Sequence, residues 1–87
     1  MLMDEWEAAA LRQLKSDVAS YPGGVQAFAV EFREDLGVGP SALGRNLNGE
    51  PKMSLRTYFA LIRALGYTPE TYEARIRQRV QADRHAR

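Results

Sequence analysis

Ser41, Arg45 and Asn48 stand four and three residues apart, so a helix would put a hydroxyl, a guanidinium and an amide on one side. Leu43 and Leu47, at i and i+4, would form the buried seam on the other. Ala42 and Gly44 keep the flanks of the polar side small. These groups do recognition chemistry. The hydroxyl donates or accepts, and the guanidinium makes paired bonds to a planar acceptor. Nothing nearby does bond-making chemistry. The four serines, Ser16, Ser20, Ser41 and Ser54, have no histidine base, since the one histidine is His85 near the end of the sequence. Cysteine is absent, so disulfides and thiolate metal sites are excluded. The carboxylates read as helix caps and surface charge. The expectation is a binding protein with no cofactor, no metal and no small-molecule ligand, and not an enzyme.

The elements that must hold these residues are all helices. The stretch Leu36 to Gly49, LGVGPSALGRNLNG, has the form of the second half of a helix-turn-helix. Gly37 stands where a helix ends in the left-handed region, and Pro40 opens the next helix, whose first amide needs no partner. That helix runs from about 40 to 48. A helix before it spans about 25–36, with Val25, Phe28, Ala29, Phe32 and Leu36 as its apolar positions. The first helix covers about 4–20, capped by Asp4 and striped with Trp6, Ala10, Leu14 and Val18. After the Glu50-Pro51-Lys52 loop, Ser54 caps a helix carrying Leu55, Tyr58, Phe59, Ile62 and Leu65, and Gly66 closes it. Thr68-Pro69-Glu70 opens an arginine-rich helix over about 69–84, with Tyr72, Ile76 and Val80 as its apolar positions. The fold class is all-α, a compact domain of five helices.

With 87 residues the chain is one domain, 1–87, with a small core. Its 45% hydrophobic and 26% charged residues are ordinary for a globular protein. No apolar run approaches the roughly 18 residues of a membrane span. The opening MLMDEWE is acidic and unlike a signal peptide, so a cytoplasmic location is expected and no membrane partner. The net charge of +1 is unevenly spread: residues 1–37 hold three basic and seven acidic side chains, and residues 38–87 hold nine and four. The positive half contains the Ser41/Arg45 helix and would attract a polyanion.

GVGPSALGRNLNG followed by PKMSLRTYFALIRALGY resembles the lambda-repressor-like helix-turn-helix domains, the Cro or XRE type. The matching positions are Gly37, Val38, Pro40-Ser41, Leu43, Gly49, Ser54-Leu55 and Ala64-Leu65-Gly66, and the resemblance covers roughly residues 24–67. It implies a helix-turn-helix made by helices 2 and 3, bound to double-stranded DNA, with a recognition helix over about 40–48 in the major groove. Pro40, Ser41, Ala42, Gly44 and Arg45 would then meet base edges. Gln26, Asn48, Lys52 and Arg56 would meet phosphate.

Two alignments of helix 2 stay open. One places Arg33 where the family has a small close-packing residue, with Ala29 where the family often has a phosphate-binding glutamine. The other makes Gln26 that glutamine and Ala29 the small residue, in a helix about one turn longer. Asn46 falls at a seam position usually apolar. Tyr72, Ile76 and Val80 would pack on the core or form a homodimer contact, or else the nearby arginines would follow phosphate. The expected function is a sequence-specific transcriptional regulator of the phage or plasmid repressor type. The alternative is a small protein-binding module, a host-interaction protein or antitoxin-like partner, that reuses the fold.

Overall fold

The computed structural model describes residues 4–86, and every regular element among them is a helix. In order these are α1 (Glu5–Ala19), α2 (Gly24–Glu31), α3 (Arg33–Leu36), α4 (Pro40–Leu47), α5 (Leu55–Ala64) and α6 (Pro69–His85). Three starts follow from side-chain capping. Asp4 accepts from the Glu7 amide at 2.7 Å, Ser54 caps α5 through the Thr57 amide, and Thr68 and Thr71 cap α6 reciprocally. The Cα radius of gyration is 12.6 Å, close to the roughly 12 Å of a folded chain of this length.

Six helices stand where the periodicity predicts five, because the expected 25–36 helix is broken at Phe32. Phe32 leaves helical geometry (φ −107°, ψ 20°), and its ring rests 4.8 Å from Phe28 and 6.0 Å from Tyr21. In an unbroken helix Arg33 would lie one turn from buried Ala29, on the same side. Instead Arg33 is exposed, Ala29 is fully buried, and α3 returns Leu36 to the core.

The core draws on every helix, with Leu14, Phe28, Leu36, Leu43, Leu61 and Tyr72 as its largest anchors. α2 packs on α4, and α3 packs on α5. α6 lies antiparallel along α1, since Arg84 meets Glu5 at one end and Tyr72 and Arg75 meet Asp17 at the other. Tyr72, Ile76 and Val80 are buried in that seam. Of the three readings of the last helix, core packing is therefore the one these residues take, and they offer no surface for a homodimer.

Two apolar stripes are rotated from expectation. In α1, Leu14 and Val18 are buried, but Ala9 replaces Trp6, which is 40% exposed. In α5, Leu55 is 73% and Phe59 40% exposed, while Thr57, Ala60 and Leu61 face inward with Ile62. A hydrogen bond accounts for the second rotation. The Thr57 hydroxyl donates to the Leu36 carbonyl at 3.1 Å, capping the end of α3, and this turns residues 57 and 61 toward the core.

Candidate nucleic-acid interface

Gly37 ends α3 at φ +74°, a region that costs glycine nothing and other residues a steric clash. The chain then extends through Gly39, the N-cap of α4, and Pro40 begins the helix. The buried side of α4 is Leu43, Asn46 and Leu47. Asn46 fits there because its amide donates to the Pro51 carbonyl at 3.0 Å, which ties the following loop to the helix. Asn46 and Leu47 thus share the seam position.

With that side fixed, the helical repeat turns Ser41, Arg45 and Asn48 outward, and all three are exposed. Ala42 and Gly44 flank them, half-buried, as does Pro40. A Cβ added at Gly44 would meet no atom within 4 Å, so nothing inside the fold requires glycine there. Glycine inside a helix costs roughly 0.5–1 kcal/mol relative to alanine. The eight residues of α4 span about 12 Å, and the major groove of DNA is about 12 Å wide.

The residues expected at phosphate divide into two groups. Gln26 is exposed in the first turn of α2. Arg56 is exposed at the start of α5, its guanidinium carbon 3.7 Å from where a Cβ on Gly37 would stand. Asn48 and Lys52 are engaged by α1 instead. Lys15 donates to the Asn48 side-chain oxygen at 2.8 Å, and Lys52 pairs with Glu7 at 3.0 Å. The Lys15–Asn48 bond is exposed, and the Lys52–Glu7 ion pair, with side chains 63% and 42% exposed, is of the surface kind that contributes about 0–1 kcal/mol. They position these groups beside α4 without locking them there.

Three further cations were not among the residues expected at the site. Lys15 reaches the C-terminal end of α4 from 33 positions earlier, which no local pattern signals. Arg33 lies at the turn because of the break at Phe32, with its guanidinium carbon 3.9 Å from a Cβ position on Gly39. Arg63 was legible, since it follows Arg56 by two helical turns and is likewise exposed. Arg33, Arg45, Arg56 and Arg63 have no carboxylate partner among the described residues. Acids are near them in sequence: Glu31, Glu34 and Asp35 are exposed on α2 and α3.

The perturbed ionisations lie away from α4. Burial, then a hydrogen bond to Asp17, pushes the Tyr72 phenol well above the usual tyrosine range. Burial and the Glu73 charge also raise Tyr58. Hydrogen bonding to Asp17 raises Arg75, whose guanidinium also sits 5.0 Å above the Tyr67 ring. These groups hold α1, α5 and α6 in place.

One apolar groove, of about 320 Å³, runs between the first half of α1, the 49–53 loop and the start of α5. Trp6, Leu11, Met53, Leu55 and Tyr58 line it, with the Glu7–Lys52 pair at its edge. Among the described residues no cluster of histidine, aspartate or glutamate suits a metal ion, and no helix is long and apolar enough to cross a membrane. Comparison of the chain with protein-family models, with curated proteins and with solved structures finds no match.

Proposed function

We propose that this chain is a sequence-specific DNA-binding regulator of the lambda-repressor-like type. In this reading α2 and α3, the turn at 37–39 and α4 act as a helix-turn-helix, and α4 enters the major groove. The observation that carries it is the outer side of α4. Hydrogen-bonding side chains point outward there, Arg45 is free of any acid partner among the described residues, and Gly44 leaves space that the fold does not use. Of the two alignments, burial of Ala29 and the place of Gln26 in the opening turn of α2 support the one with Gln26 and Ala29, although the longer helix that it expects is broken at Phe32.

Selection of bound sequences from random duplex DNA, at a stated salt concentration, tests the proposal. The wild-type chain should enrich a short site, and its affinity should fall linearly in log salt. No binding to any duplex at low salt would sink the reading.

The apolar groove and exposed Leu55 favour a second reading, a protein-binding module that keeps the fold. In that case Leu55→Asp should abolish partner capture and leave DNA unbound with or without the substitution. DNA binding that survives Leu55→Asp assigns the function to α4 instead.

A further inference from the structure

Arg33, on α3, and Arg56, on α5, each lie against the 37–39 turn. The Arg56 guanidinium lies against Gly37, with its three terminal atoms 3.7–3.9 Å from the Cβ position there. The Arg33 guanidinium lies against Gly39, with carbon and Nη2 each 3.9 Å from the equivalent point. A Cβ at either glycine would stand in ordinary van der Waals contact with these groups, so both guanidiniums pack close against the backbone of the turn. Neither arginine pairs with a carboxylate among the described residues, although Glu34 and Asp35 follow Arg33 directly. The five ion-paired arginines, Arg12, Arg75, Arg77, Arg79 and Arg84, belong to α1 and α6.

We infer that Arg33 and Arg56 form a clamp over the 37–39 turn that holds a phosphate of the nucleic-acid backbone. The guanidinium fork matches two phosphate oxygens at once, which an ammonium does not. The turn leads directly into α4, so a phosphate fixed there sets where Ser41 and Arg45 fall along the groove without itself reading sequence. This assignment rests on the DNA-binding reading above. It adds Arg33, which is absent from the phosphate contacts that the resemblance implies.

The test uses the full chain, a duplex carrying the selected site and an unrelated duplex, between about 50 and 200 mM salt. Arg33→Ala and Arg56→Ala should each lower the slope of log affinity against log salt by about one unit, and the double variant by about two. The loss should be the same on both duplexes, with thermal unfolding unchanged. Arg33→Lys should restore the slope but not the full affinity. If the wild-type chain binds DNA and Arg33→Ala keeps its slope, the clamp is wrong and the DNA-binding reading stands. A loss confined to the selected site also overturns the clamp, because it makes Arg33 a base reader. A wild-type chain that binds neither duplex overturns both.

Discussion

The arginines of this chain live in two different surroundings. Along α1 and α6 they are answered by acids: Arg12 and Arg79 by Asp83, Arg75 by Asp17, Arg77 by Glu73 and Arg84 by Glu5. On α3, α4 and α5, Arg33, Arg45, Arg56 and Arg63 have no such answer among the described residues. The first group makes the arginine-rich C-terminal helix a structural strut, despite its polyanion-like appeal in the sequence. The second group, fewer in number, leaves unpaired positive charge on α3, α4 and α5. Net charge alone conceals this division, because a paired arginine and a free one count equally.

The largest effects should come from the seam behind the strut. Tyr72 is fully buried, and its hydroxyl donates to Asp17 at 2.8 Å. Tyr72→Ala should cost about 3–5 kcal/mol in denaturant unfolding, in line with aromatic truncation elsewhere. DNA affinity measured well below the unfolding midpoint should be unchanged. A variant that stays folded but loses DNA binding would erase the division between the two regions.

The same residue gives a pH signature. Its phenol is held above the ordinary value near 10, so the unfolded chain loses this proton before the folded one does. The stabilisation from Tyr72 is therefore complete below about pH 10 and shrinks above it, by up to about 1.4 kcal/mol for each pH unit. The stability difference between wild type and Tyr72→Phe should narrow accordingly between about pH 10 and 11.5. A constant difference would show that Asp17 and burial do not hold the proton.

On the other region, Arg45→Ala should remove about 1–3 kcal/mol of discrimination at one base position and leave stability within about 0.5 kcal/mol. Equal preference profiles for the two chains would take Arg45 out of base contact. Gly44→Ala sharpens the contrast further, because its two effects have opposite sign. The fold should gain about 0.5–1 kcal/mol, since the new methyl enters open space on a helix. Binding to DNA should weaken, since the same methyl stands where the groove wall would approach. A gain in stability with unchanged affinity would show that α4 does not come close to its ligand on that flank.

How far the sequence speaks differs between the two regions. Helix ends were legible where a cap or a proline marks them, as at Asp4, Pro40, Ser54 and Thr68. The outward side of α4 was legible too, because Leu43 and Leu47 fix its rotation. The break at Phe32 was not, since an apolar aromatic at helical spacing carries no stop signal and the cause is its packing on Tyr21 and Phe28. The rotation of α5 depends on the Thr57 bond to Leu36, 21 residues away. The charge division depends on partners up to 79 positions apart, such as Arg84 and Glu5. Local pattern reports what a helix presents, and only tertiary packing decides which charges remain free.

Lys52 lies on the border of the comparison and gives the smallest expected effect. It neighbours α4 through the loop that Asn46 anchors, yet its charge is shared with Glu7 at 3.0 Å. If pairing separates strut from interface, Lys52→Ala should lower the salt slope by less than the unit expected for Arg56→Ala. Removing the acid should do the reverse. Glu7→Gln should steepen the slope by releasing Lys52, while unfolding stability changes by less than about 1 kcal/mol, as for other exposed pairs. The two substitutions act on one ion pair from opposite ends, so their slopes should straddle the wild-type value. Slopes that both fall, or both stay, would mean that pairing in the free protein does not determine which cations meet the phosphates.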